Sequence, residues 1–542
     1  MMLSAKSSHP LTATSIPSPL PSNSSKENTT MNTTLHRGSR VAHDTMAALT
    51  NSYFGKNGLA KAGDETFADV LNPSTAEVIG SLSDLTEKQV DDVVRDANAA
   101  QREWYALSAL DRAELIHEAG RRVRADQRLI AEILSTETGK PFKESFDEVS
   151  WAITAMDYFA EVGRHAIGTV QGPATAGQLH YTIKEPMGTA VIILPANYPI
   201  VLSMWTGAAA LAAGNAIIIK PSEWATLTTL AFMRAFEVLP AGLVQCVPGT
   251  ARTSSQLVSH ADTHQVSFTG SVPTGRIVAK ACADTFKPFI IEASGSDPFI
   301  VMPSANLDVA ARGAAFAAFI NGGQVCTSTE KLIVHTDIYD EFMGKFRKHI
   351  AALRVGHPLD KVDVGPMENG RELARVTRIL ERAIEQGAQV TLGGKRPAIA
   401  DESLANGFFL EPTILEGMTR DMDIYMQEIF GPAVAVYRVS SFDEALDLAN
   451  GSPFGLGANL YSADIAEIDR ANQELIAGMV WINAPLLDND AGPFGGRKMS
   501  GIGRQLGAEG LDTFRHTKFI IVDAKQSEQN FWWFPYDDSE AF

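Results

Sequence analysis

The stretch TAVIILPANYPIVLSMWTGAAALAAGNAIIIKPSE, residues 189 to 223, decides the fold. It opens on an apolar run from Thr189 to Leu194, crosses a proline-bounded turn, passes through an alanine-rich helical stretch from Trp205 to Ala213 and closes on a second apolar run, Ala216 to Ile219. Short runs rich in β-branched residues on either side of a helical period describe a strand, a crossover and a strand. The alternation continues through Leu243 to Val247, Val266 to Phe268 and Pro288 to Ile291, with a helical stretch at Leu227 to Val238. Crossovers of this kind are right-handed and give a parallel sheet covered on both faces, an architecture that suits nucleotides.

Outward from this stretch, Val90 to Arg164 reads as helical, with few breakers. The second half predicts helices at Ala310–Phe319, Tyr339–Leu353 and Arg371–Glu385, and strands at Lys331–His335, Ala433–Val439, Ala458–Tyr461 and Met479–Ile482. It reads as a second α/β unit, and clefts form preferentially between such units. Residues 1–48, rich in Ser, Thr, Pro and Asn, have little to bury and are expected to be a disordered tail. Residues 525–542 form an aromatic and acidic tail, in which Phe531 to Tyr536 is expected to dock on a protein surface.

A chain of 542 residues can bury a large core divided between domains. The formal charge of -18 excludes a general nucleic-acid role, which needs clustered Lys and Arg. Three cysteines are too few for a disulfide framework and fit a reducing compartment. No run approaches the roughly 20 apolar residues of a membrane span, so a soluble protein without membrane partners is expected. Cytoplasmic placement follows; Lys6, Lys26, Arg37 and Arg40 would make it mitochondrial only if the tail is a transit peptide.

Chemistry concentrates at a few turns. Cys326 lies in the glycine-containing run Asn321-Gly322-Gly323-Gln324-Val325-Cys326, where nearby donors are expected to favour a nucleophilic thiolate. Glu292 ends an apolar strand 34 residues earlier, and burial there would make it a general base or a structural partner. Asn197 also ends a strand; its amide is an oxyanion donor or a turn former. Gly270, Ser271 and Gly275 make a strand, turn and helix opening of the kind that cradles phosphate, though such turns also occur without a ligand. Lys220 and Glu223 follow a strand end, where a carboxylate can accept from ribose hydroxyls and repel a 2′-phosphate, favouring NAD over NADP. Glu428 and Phe430 precede a further strand and could supply a second ribose contact and an aromatic wall. No metal site is read.

In order, spacing and local sequence these residues resemble the aldehyde dehydrogenase superfamily over roughly residues 55 to 525. The resemblance implies Cys326 as catalytic thiol, Glu292 as general base, and Asn197 with the backbone amide of Cys326 as oxyanion donors. It implies Lys220 and Glu223 at the adenosine ribose, Gly270, Ser271 and Gly275 at the cofactor turn, and Glu428 and Phe430 on the nicotinamide side. Tyr198, Trp205 and Thr327 resemble positions lining the aldehyde tunnel. The implied fold is α/β, with two Rossmann-like parallel-sheet domains and a small β oligomerisation element. Its parts are a cofactor domain (49–177 and 186–291), a catalytic domain (292–491) and an oligomerisation element (178–185 and 508–524) in a homodimer or homotetramer. Three positions depart from the family: Ala196 for a common Trp, Thr206 for a frequent Lys, and Ser294 for a Gly. The implied reaction is NAD-dependent oxidation of an aliphatic, aromatic or betaine aldehyde to its acid, with NADP as a second cofactor. A CoA-acylating enzyme and a cofactor-binding protein impaired in turnover are the other readings.

Overall fold

The computed structural model describes residues 38–165, 167–528 and 533–534. Residues 1–37, most of the expected tail, lie outside it. The end of that tail is a correction: Arg40–Leu49 is a helix, capped by the Ser39 hydroxyl, which accepts from Ala42 N at 3.2 Å. Ala42, Met46 and Leu49, spaced four and three apart, form a buried stripe that holds it to the core. Of the C-terminal aromatic cluster, Trp533 and Phe534 are exposed and the rest lies outside the described residues.

The first sheet has eight strands in the order Gly501–Ile502, Phe289–Glu292, Gln265–Thr269, Thr189–Ile193, Ala216–Lys220, Val244–Cys246, Ser52–Gly55 and Gly58–Lys61. The five central strands run parallel, as their apolar runs suggested, and Val191, Ile192, Ile217 and Ile218 are wholly buried. Both edges are antiparallel. One edge comes from far along the chain: Gly501 pairs with Glu292 and completes the sheet beside the candidate base.

Helix Pro199–Ala213 begins six residues before the expected Trp205. Pro199 opens its first turn, where a missing N–H costs nothing, so the proline read as a turn signal is a helix start. Three long helices, Glu87–Ala106, Ala109–Thr138 and Phe142–Val162, fill the predicted helical region, and the last packs closely on Pro199–Ala213.

The second sheet has seven strands in the order Gln389–Leu392, Thr413–Glu416, Ala433–Val439, Thr329–His335, Asp297–Val301, Gly457–Tyr461 and Met479–Ile482, parallel except at the first. A third, antiparallel sheet pairs Arg515–Val522 with Leu179–Pro186 over eight residues, and adds Val170–Gln171. Phe519, Ile521 and Leu179 of this sheet are exposed. No described helix is long and apolar enough to cross a membrane.

Candidate active site

Glu292 ends a strand of the first sheet, and five residues later Asp297 begins a strand of the second. The connection passes close beneath the turn carrying Cys326: a Cβ on Gly295 would lie 1.8 Å from the Cys326 carbonyl oxygen. The turn itself is conformationally demanding. Asn321, Gly322 and Gly323 all have φ between 49° and 71°, a left-handed run that costs a non-glycine residue about 1–2 kcal/mol. Asn321 is held there by its neighbours. Its N–H donates to Glu144 at 2.8 Å, and its side-chain amide donates to the carbonyls of Gln324 at 3.1 Å and Asn197 at 3.3 Å. The Asn197 amide donates to the same Gln324 carbonyl at 3.1 Å. Asn197 and Cys326, 129 residues apart in the chain, are therefore brought to one place through Gln324. Among the described residues the Cys326 N–H has no acceptor, which leaves it free for an oxyanion.

Glu292 is buried, and both carboxylate oxygens lack a hydrogen-bond partner among the described residues. The Cys326 thiol and the Thr269 hydroxyl are the polar side chains facing it. Burial pushes its carboxyl up to about 8, with the negative charges of Glu428 and Asp297 adding to the effect. Cys326 differs from the sequence expectation. Burial, then the carboxylates of Glu292 and Asp297, push its pKa well above the ordinary thiol value, so the resting group is a thiol. The expected thiolate-favouring donors are not cations but carboxylates, and Glu292 is the group placed to take the proton.

Of the other sequence-derived residues, Glu428 acts on both members of this pair and Cys326 acts on Tyr198. Ser271 caps helix Val272–Asp284, with its hydroxyl accepting from Thr274 N, and Gly275 packs where a Cβ would approach Ile291 to 3.2 Å. The helix start borders a cleft of about 610 Å³ that is also lined by Arg276, Ser294, Arg375, Glu428 and Met499. Glu428 accepts from Gly295 N at 2.9 Å, and burial pushes it up to about 8. Phe430 is left-handed, at φ 47°. Lys220 is buried, its ammonium donating to the Pro221 carbonyl at 2.9 Å, and Glu223 starts a short helical turn beside it. Tyr198, Trp205 and Thr327 are all buried; the Tyr198 ring stands 6.4 Å from that of Trp151 and the Trp205 ring 4.8 Å from that of Phe494. Thr206 is absorbed into its helix, bonding Leu202 O at 3.1 Å.

Several supports escaped the sequence reading. Glu330, four residues after Cys326, accepts from Ile429 N at 2.9 Å and Phe430 N at 2.7 Å and so fixes the strained turn at Phe430. Arg375 donates to the carbonyls of Glu428 and Ile429. Its helix spacing was visible, its contact across the cleft was not. A cleft opening at a helix N-terminus, bordered by arginines and a carboxylate, fits a dinucleotide: N–H groups and guanidinium for phosphate, Glu428 for a ribose.

Comparisons agree with this geometry. The chain is 35% identical over 463 residues to a peroxisomal aminoaldehyde dehydrogenase 1 of Malus domestica, covering 83% of this chain and 91% of the relative. It is 34% identical over 482 residues to a betaine aldehyde dehydrogenase of Bacillus subtilis (strain 168), covering 87% and 97%. The crystal structure of a betaine aldehyde dehydrogenase from Staphylococcus aureus in complex with NAD+ superposes with a TM-score of 0.87 at 28% identity, covering 91% of this chain and 99% of that one. The model of the aldehyde dehydrogenase family matches residues 59–520, and the chain belongs to that family.

Proposed function

We propose that this NAD-dependent aldehyde dehydrogenase oxidises a cationic aldehyde to its carboxylic acid, with Cys326 as nucleophile, Glu292 as base and Asn197 with the Cys326 N–H as oxyanion donors. The observation that carries the reading is the buried, partnerless Glu292 carboxyl facing the Cys326 thiol where the two sheets meet. Cys326 Sγ attacks the carbonyl carbon as Glu292 takes the thiol proton. The Asn197 amide and the Cys326 N–H then receive the oxyanion. NAD, held by the Ser271 turn, Glu428 and the adenosine-side pair Lys220 and Glu223, accepts the hydride that leaves this adduct, which becomes a thioester. Once its first proton has passed to solvent, Glu292 takes a proton from water, whose oxygen attacks the thioester carbon; the C–S bond then breaks, freeing the acid and returning the Cys326 sulfur.

The far end of the substrate is read from the loop after strand Met479–Ile482. Asp488 and Asp490 lie on it, and no cation is among the groups that act on either. Burial, Glu144 and Glu148 act most on the Tyr198 phenol, and Cys326 and Asp488 act on it as well, which supports a tunnel wall within reach of the loop. Unpaired carboxylates beyond an aromatic wall favour an amino or quaternary ammonium group. The third sheet, with its exposed apolar residues, supports a homodimer or homotetramer. The absence of disulfides among the described cysteines supports a cytoplasmic enzyme.

Two measurements test the reading. Cys326→Ala abolishes NADH production, and Glu292→Gln keeps a single-turnover burst while losing steady turnover; full activity in either variant removes that residue from its role. Across a panel with NAD, betaine aldehyde and an aminoaldehyde are turned over with higher kcat/KM than succinate semialdehyde, and the reverse ranking removes the cationic class.

A further inference from the structure

Helix Phe142–Val162 carries two carboxylates, Glu148 buried and Glu144 partly exposed, each of which reaches one of the loops that build the site. Glu148 Oε1 accepts from Ile200 N at 2.8 Å and from Val201 N at 3.3 Å, directly after Asn197 and Tyr198. Glu144 accepts from Asn321 N at the head of the left-handed turn before Cys326. The other oxygen of Glu148 is ion-paired with Lys140, and both of these side chains are wholly buried. The Lys140 ammonium also sits 3.5 Å from the centroid of the Tyr198 ring. The mechanism above uses none of these three charged groups.

We propose that Lys140 is a positioning residue for the reaction: its buried ammonium, paired with Glu148 and set against the Tyr198 ring, anchors helix Phe142–Val162 so that the Asn197–Val201 loop and the Asn321 turn are held together as one oxyanion site. A buried carboxylate keeps its charge only beside a compensating cation. Lys140 faces Glu148, Glu144, Glu368 and the Tyr198 ring, whereas Glu144 also faces Asp147 and Asp363, whose charges oppose its ionisation. Lys140 is the principal cation favouring its charged form. Without Lys140 the Glu148 side chain loses its ion-pair partner and Glu144, already pushed up to about 7 by burial, loses the cation that favours its charge, so their hold on Ile200, Val201 and Asn321 weakens. The loops then loosen against each other, and the Asn197 amide loses its register with the Cys326 N–H.

The inference rests on the roles proposed for Cys326 and Asn197, and the experiment separates the two. Lys140→Met and Lys140→Met/Glu148→Gln are compared with wild type and with Cys326→Ala in steady-state and single-turnover NADH formation over a range of pH. Lys140→Met is expected to lose about a hundredfold in kcat, as misplacement of catalytic groups does, with KM for NAD unchanged. The acid limb of its pH profile, set by Glu292 in the wild type, moves up by about one unit because Glu144, pushed up to about 7 even beside Lys140, ionises later without it. The double variant, which removes both charges of the ion pair and keeps an amide oxygen as acceptor, recovers most of the lost kcat and keeps the wild-type circular dichroism. Packing loss alone would make the two substitutions add, leaving the double variant slower than the single one. That result, or a Lys140→Met enzyme with wild-type kcat and acid limb, overturns the proposal. Activity surviving in Cys326→Ala overturns the assignment of the nucleophile instead.

Discussion

Glu292 sets the pH behaviour at the scale of single residues. Burial raises its carboxyl to about 8, so in the enzyme without cofactor the proton is on at neutral pH and the base form grows as the medium becomes more alkaline. Steady turnover is therefore expected to climb through about pH 8 and then level. Glu292→Gln flattens that rise, and an unchanged profile in the variant would assign the limb to another group. The placement of these residues was legible in the sequence because thiol, acid and amide each stand at the end of an apolar run or in a glycine turn. Their protonation states were not. The expected thiolate gave way to a thiol because desolvation, and then Glu292, Asp297 and Glu428, 136 residues apart at the extremes, act on one partly exposed sulfur.

At the scale of elements, the five central strands of the first sheet were readable as apolar runs, since a strand buried on both faces needs no alternation to betray it. The edges were not. Gly501–Ile502 is two residues long and owes its place to pairing with Glu292, a contact over 209 residues that no local pattern encodes. Strand Asp297–Val301 was missed for a related reason: it begins on a charged residue, whose carboxylate finds its partner in Gly457 N at 3.0 Å. The close passage of residues 292–297 under the Cys326 turn is a property of two elements together. Gly295→Ala inserts a methyl group into the Cys326 carbonyl, and one of the two segments must move. The variant is expected to fold, as judged by circular dichroism, and to lose about a hundredfold or more in kcat; wild-type kcat would mean that the passage is looser than the geometry requires.

At the scale of the whole molecule, the third sheet stands apart from the cores of the other two. Sequence alone suggested its two main strands only through a family resemblance, because Leu179–Pro186 and Arg515–Val522 carry mixed polar and apolar residues and lie 328 residues apart. Phe519 and Ile521 project their side chains into solvent, each about half exposed. Apolar groups so displayed on a paired strand are expected to meet another subunit. Light scattering of Phe519→Glu/Ile521→Glu should give a lower particle mass than wild type, with the far-ultraviolet dichroism preserved; an equal mass would place the subunit contact elsewhere.

The narrow gap between Gly295 and the backbone of residue 326 has one more implication. It gives the joint between the two sheets no slack, so a bulky alkylating reagent that displaces the main chain at the sulfur also presses on the segment bearing Ser294, a wall of the dinucleotide cleft. Occupancy of that cleft is therefore expected to slow alkylation of Cys326, which the lifetime of the free thiol in iodoacetamide with and without NAD would show.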